Sequence, residues 1–173
     1  MKADEVNFER KDYETGVQIQ DEMELRIWLR LLTCSNLLDT EVRTRLKQTA
    51  GTTLPRFDIL AQLERHKGPM SMGELSKRLM VTNGNVTGLV ERLASEGMVE
   101  RAPAPDDRRI QMVSLTSRGK ENFANMAENH RVWIRDMMEQ LTANELKSLY
   151  DLLARLKESI LTAEQKNNLE AAE

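Results

Sequence analysis

MSMGELSKRLMVTNGNVTGLVERLASEGMVERAPAPDDRRIQMVSLTSRG, residues 70–119, reads without a break as helix, turn, helix, two strands about a charged turn, and a new helix. In SMGELSKRL, Ser71 can cap a helix while Glu74 bonds back to it, and Met72, Leu75 and Leu79 form an apolar stripe. A second helix follows almost at once. In NGNVTGLVERLASEG, Val86, Leu89, Val90 and Leu93 fall at helical spacing and Gly97 supplies a stop. Beyond it, Pro103 and Pro105 bar a helix, Asp106 and Asp107 favour a turn, and Ile110, Met112 and Val113 give a returning strand. The expected fold class is mainly α with a small β-wing, a winged helix-turn-helix.

The residues that the apolar stripe leaves over point to a ligand. Asn83, Asn85, Thr87, Gly88 and Arg92 lie off the apolar face of the second helix. Short hydrogen-bonding side chains at the start of such a helix suit base edges in the major groove, where Asn pairs with adenine and Thr offers a hydroxyl or a methyl. Arg108 and Arg109 stand at the tip of the hairpin, within reach of an adjacent minor groove or of phosphates, and Asp107 is spaced to orient one of them. In isolation such a turn is an ordinary solvated hairpin; beside a recognition helix it reads as a DNA contact.

At this point the chain resembles the MarR family of bacterial transcription regulators. The resemblance rests on VTNGNVTGLVERLASEGMVER, residues 81–101, and on the wing signature Asp107-x-Arg109 followed by Leu115, Thr116 and Gly119. It extends more loosely over residues 25–161, with Pro55, Arg56, Phe57 and Leu60 matching the start of the family's second helix. It implies an α-helical homodimer in which one N-terminal and two C-terminal helices interlock and each subunit carries one winged helix. It also implies that Thr82, Asn83, Asn85, Thr87 and Arg92 face the major groove, with Arg109 entering the minor groove, held by Asp107.

Composition agrees. With 173 residues, 40% of them hydrophobic and 31% charged, the chain can form one sizeable core or one domain with a helical extension. Its net charge of -3 divides unevenly. Residues 56–120 hold 11 Lys and Arg against 8 Asp and Glu, a balance of +3, and the remainder holds 14 against 20, or -6. DNA contact is therefore expected on one face, with acidic helices repelling the duplex elsewhere. No apolar run approaches the roughly 20 residues of a membrane span and no secretory signal is visible, so a cytoplasmic protein is expected.

The flanks explain how such a reader would be mounted. Between Met23 and Leu46, Ile27, Leu31, Leu38, Val42 and Leu46 recur at helical spacing, while Leu25, Trp28, Leu29, Leu32 and Leu37 make the helix apolar nearly all round. Thr116 opens a further helix carrying Phe123, Met126, His130, Ile134, Met137 and Leu141. Thr142 and Glu145 cap a last one with Leu146, Leu149, Leu153, Leu156 and Ile160. These faces need a second copy to cover them, which predicts an isologous dimer and a palindromic operator with half-sites about 10 bp apart. The expected organisation is a flexible tail over 1–20, a dimerisation helix over 21–50, the winged domain over 55–120, dimerisation helices over 121–164 and a flexible tail over 165–173.

Family resemblance further implies a repressor that releases DNA when a small molecule enters the crevice beside the winged domain. Arg26, Trp28, Arg30, Arg56, Phe57, His66, Met126 and His130 supply an apolar wall with cationic anchors, suited to an aromatic carboxylate or its coenzyme A thioester. The stretch TLPRFDILAQLERH together with MGELSKRLMVTNGNVTGLVERL resembles regulators of aromatic-acid breakdown in particular, including those answering hydroxycinnamoyl or benzoyl coenzyme A esters. An alternative is redox sensing through Cys34, the single cysteine. The resemblance implies that a peroxide-sensing member carries its cysteine near the start of the first helix with tyrosine partners; Cys34 lies well inside that helix without a nearby tyrosine, and its apolar surroundings favour a buried and inert thiol.

Other classes find little support. There is no Gly-rich phosphate loop, His-Glu metal motif or nucleophile elbow, so no enzyme and no cofactor is expected. His66 and His130 are far apart in sequence and lack neighbouring ligands, so no metal site is expected. A winged helix serving only protein assembly is the remaining competitor, and substitution of Arg108 and Arg109 discriminates the two, since only a DNA reader would lose operator binding.

Overall fold

The computed structural model describes residues 23–170. Its elements are α1 (Met23–Ala50), α2 (Leu54–His66), β1 (Met70–Ser71), α3 (Met72–Leu79), α4 (Asn83–Ser95), β2 (Val99–Pro103), β3 (Gln111–Leu115), α5 (Ser117–Met137) and α6 (Ala143–Glu170). The chain forms two units, and the boundary falls between Trp133 and Ile134, inside α5.

In the first unit the three strands make an antiparallel sheet in the order β1-β3-β2. Met70 pairs with Val113, and Val99 pairs with Leu115. Of the predicted stripes, Leu75, Val86, Val90 and Leu93 are in the core beneath it, while Met72, Leu79 and Leu89 are half-buried. Ile59 and Leu63 of α2, Leu75 of α3, and Val86, Val90 and Leu93 of α4 are buried with Met70, Val99, Val113 and Leu115. Burying each such side chain contributes about 1.5–3 kcal/mol, which fixes α3 and α4 on one sheet.

Local chemistry sets the element ends. Pro55 starts α2, where its missing N–H costs nothing, and Lys67 closes it in the left-handed region. Ser71 caps α3 by accepting the Glu74 N–H at 3.2 Å. The return bond expected of Glu74 is diverted, because its carboxylate takes Arg78 one turn on at 2.7 Å. The reciprocal box forms instead at α6, where Thr142 N–H donates to Glu145 Oε2 at 2.8 Å and Glu145 N–H donates to Thr142 Oγ1 at 3.3 Å. Gly97, with φ +70°, turns the chain from α4 toward the wing. At Gly119 a Cβ would lie 1.9 Å from the Met98 carbonyl oxygen, so only glycine lets α5 start this close to β2. Thr116 Oγ1 reinforces that junction, donating to the Gly97 carbonyl at 2.7 Å and accepting the Gly119 N–H at 3.0 Å.

The flanking helices depart from several expectations. Only Val42 and Leu46 of α1 are buried, whereas Met23, Leu25, Ile27, Trp28 and Leu37 are exposed. Cys34 is exposed as well, which corrects the buried thiol expected from sequence: α1 is covered only toward its C-terminal end, and Cys34 precedes that part. In the second unit, α6 exposes Leu149, Leu152, Leu153, Leu156 and Ile160 on one face. It continues to Glu170, past the point where a frayed tail was expected; the expected tail over 1–20 lies outside the described residues. Ile110, expected in the returning strand, instead closes the wing turn, donating its N–H to the Asp107 carbonyl at 2.9 Å. Among the described residues no helix is long and apolar enough to cross a membrane, and no cluster of metal-ligating side chains occurs.

Candidate nucleic-acid interface

Helix α4 presents its N-terminal end bare. Thr82 is the N-cap in an extended conformation, yet its side chain makes no capping hydrogen bond, and Asn83 is the first helical residue. An uncapped helix start leaves N–H groups and the positive end of the helix dipole facing outward, which suits a phosphate or a base acceptor. Asn85 and Arg92 are exposed and Thr87 is half-buried. At 3.6 residues per turn, Thr87 lies roughly 160° around the helix from Asn85, so the predicted contacts occupy both flanks of α4 rather than one face. Between the flanks runs a ridge containing Gly84 and Gly88. A Cβ at either would meet nothing within 4 Å, so neither glycine is required by packing inside the protein.

The wing lies on the Thr87 side of this ridge. Arg101 of β2 reaches Glu91 of α4 at 3.6 Å, which ties the hairpin to the helix. At its tip Arg109 donates through Nε to Asp107 Oδ1 at 3.0 Å and through Nη2 to Oδ2 at 2.9 Å. The predicted partnership of these two residues is thus present. Arg108 beside them is exposed.

The opposite flank borders a cavity of about 560 Å³. Asn85, Gly88, Leu89 and Arg92 of α4 form one wall, and Arg43 of α1 with Pro55 and Asp58 of α2 form another. Arg43 is held by Asp39, to which its Nη2 donates at 3.1 Å. Burial raises the Asp58 carboxyl above the ordinary carboxylate range, opposed by the charge of Arg43. The cavity therefore offers two guanidinium groups, one carboxyl that accepts protons more readily than usual, and an apolar floor from Leu79 and Leu89. This is within the size range that accommodates a small organic ligand.

None of the eight residues expected to contact an effector lines this cavity. Phe57 and Met126 are core. Phe57 packs against Phe123 and His130, with ring centroids 5.4 and 4.9 Å apart. Arg56 pairs with Glu96. His66 is exposed at the far end of α2, about 14 Å along the helix from Phe57. Arg26, Trp28 and Arg30 belong to the first turns of α1, where Trp28 is exposed. Sequence reasoning missed Arg43 and Asp58, although a lone carboxylate in the apolar run FDIL was a readable signal.

Comparison with known proteins gives this geometry a context. A MarR family model matches residues 50–110. A MarR family transcriptional regulator from Silicibacter pomeroyi is 32% identical, with a TM-score of 0.68 over 79% of this chain and 94% of that one. A mutant MarR from E. coli complexed with operator DNA is 28% identical, with a TM-score of 0.67 over 79% of this chain and 99% of that one. The transcriptional activatory protein BadR of Rhodopseudomonas palustris is 28% identical over 142 residues, 80% of this chain and 81% of BadR.

Proposed function

The chain belongs to the MarR family of DNA-binding transcriptional regulators and is not an enzyme, and from that premise we propose that it is a ligand-responsive repressor acting on a palindromic operator. In this reading α4 enters the major groove with Thr82, Asn83, Asn85, Thr87 and Arg92 at the bases and backbone, while Arg109 reaches the minor groove with Arg108 near the phosphates. A homodimer places two such units on two half-sites. The exposed apolar faces of α1 and α6 support the dimer, because so much uncovered leucine is costly in water.

The observation that carries the ligand response is that Asn85 and Arg92 belong both to the DNA-facing helix and to the cavity. A carboxylate held by Arg43 and Arg92, with an aromatic ring on Leu79 and Leu89, would occupy side chains that the operator needs. An aromatic acid meets this description; the acyl end of its coenzyme A thioester keeps the ring but offers a neutral carbonyl, which can only accept a hydrogen bond where the free acid would pair its charge. Repression is the expected sign, although the relative BadR bears the name of an activator.

The test uses the dimeric protein and a duplex obtained by in vitro selection. Benzoate, 4-hydroxycinnamate and their coenzyme A thioesters are titrated into the complex, and fluorescence anisotropy follows release. Release by at least one, lost in Arg43→Ala, supports the reading; no release by any of them removes the aromatic effector. A second reading is a redox response through Cys34, which is exposed in the single protomer and lies on the α1 stripe with Leu31 and Leu38 that the dimer would cover. Release by peroxide that disappears in Cys34→Ala would establish it instead.

A further inference from the structure

The turn before the recognition helix exposes an apolar side chain that nothing inside the protein explains. Met80 is the C-cap of α3, with φ 54° and ψ 38°, and its N–H closes on the carbonyls of Lys77 and Ser76. This left-handed conformation favours glycine, because a Cβ crowds the backbone there, so methionine adds strain. Its side chain returns nothing to the core, being 93% exposed. Lys67 is the other non-glycine residue with positive φ among the described residues, and it carries a charge that water solvates. Met80 has no such reason to face solvent. Val81, next to it, is exposed too, and Thr82 follows as the uncapped start of α4.

We propose that Met80 is a DNA contact, its side chain lying against the C–H surface of the operator beside the N-terminus of α4. This inference rests on the reading that α4 occupies the major groove. A helix that enters the groove by its N-terminal end carries the preceding turn to the groove rim, where thymine methyls and deoxyribose carbons are the available apolar surfaces. Methionine is unbranched and polarisable, so it can settle on either. Such a contact expels water and releases no counterions. It adds affinity without adding to the salt dependence.

The test compares Met80→Asn, which tolerates the left-handed backbone but removes the apolar chain, with Met80→Leu, which retains one. On the selected operator duplex, Met80→Asn should bind about four- to fifteenfold more weakly, the range expected for one or two buried methylene-sized groups. Its dependence of log K on log salt should keep the wild-type slope, its melting temperature should not fall, and Met80→Leu should stay within about twofold of wild type. Replacing operator thymines by uracil, one at a time, separates the two surfaces. A position where uracil weakens the wild type but not Met80→Asn marks a thymine methyl; an equal loss for Met80→Asn on both duplexes marks deoxyribose. Wild-type affinity in Met80→Asn, or a changed salt slope, overturns the inference. Arg109→Ala is the control: if it weakens binding while Met80→Asn does not, only the role of Met80 falls, and if neither matters, the groove reading falls with it.

Discussion

Asp107 holds Arg109 at three points, accepting from the Arg109 backbone N–H at 3.0 Å as well as from Nε and Nη2, yet leaves the Arg109 side chain 90% exposed. The guanidinium is thus restrained from the side of the turn while its outer edge remains open. Hydrogen bonding to Arg109 draws the Asp107 carboxyl below the usual carboxylate range and pushes the arginine further up, so both stay charged at neutral pH. The arrangement is a pre-oriented cation at the end of a thin ribbon, which loses less side-chain freedom on binding than a free arginine would.

Arg109→Ala should therefore weaken binding to every duplex and lower the salt slope by about one, the signature of a lost phosphate or minor-groove cation. Asp107→Asn should behave differently. It keeps the guanidinium and removes a negative charge, so binding to scrambled duplexes should hold or rise while operator binding falls. Anisotropy titrations on both duplexes at several salt concentrations measure the ratio, and an unchanged ratio in Asp107→Asn would show that the tether does not orient the arginine.

The ridge of α4 carries two glycines inside a helix. Glycine in an exposed helix position destabilises by about 0.5–1 kcal/mol relative to alanine, and here neither Gly84 nor Gly88 is needed for packing or for positive φ. Gly84→Ala and Gly88→Ala should each raise the melting temperature. If the bare backbone exists so that α4 can approach the groove floor, both should also weaken operator binding several-fold. A variant that gains stability and keeps full affinity would refute close approach at that position.

How much of this was legible beforehand depends on the distance over which each signal acts. The winged domain was readable because its determinants are local: the Ser71 cap, the stripe Val86, Val90 and Leu93, and the turn at Asp106 and Asp107 all lie within a few residues of what they fix. The ridge was half-read, since Gly88 was seen to face away from the core but its lack of neighbours was not. The cavity was not legible. It joins Arg43, Asp58 and Arg92 from three helices, and no periodicity relates positions so far apart. Phe57 and Met126, which have the composition of a ligand wall, are buried in the protomer. Cys34 shows the converse, an apolar neighbourhood in sequence that one protomer does not cover.

His130 sits half-buried against the ring of Phe57, and burial lowers its pKa below 6.5 because the charged imidazolium is desolvated there. Between the unfolded value and the lower folded one, the unfolded chain binds more protons, so stability falls as pH drops through that window and is fully present above about pH 6.5. His130→Phe keeps a ring against Phe57 and removes the titration. Thermal melts at intervals from about pH 5 to pH 7.5 should show a slope in the wild type that is reduced in the variant. Parallel curves for the two proteins would exclude His130 as its source.

Arg56, in the first turn of α2, donates through Nη1 to Glu96 Oε1 at 2.8 Å and through Nη2 to Oε2, and Glu96 is the C-cap of α4. Hydrogen bonding to Arg56 holds the Glu96 carboxyl below its ordinary value of 4.5, and the charges of Arg56 and Arg118 lower it further. Arg56 lies between Pro55 and Asp58 of the cavity wall, so this pair links the cavity to the far end of α4 through one helical turn. Glu96→Gln should destabilise the fold by about 1 kcal/mol, a modest figure because the carboxylate is partly exposed and screened. A lowered carboxylate pKa contributes stability above the unfolded value, and this is lost as pH falls through the folded one. The acid limb below about pH 4.5 should therefore be shallower in Glu96→Gln than in the wild type. A double-mutant cycle with Arg56→Ala isolates the pair. Coupling seen in unfolding but absent from operator affinity would make the link purely structural, whereas coupling in both would show that the first turn of α2 sets the position of α4 on DNA.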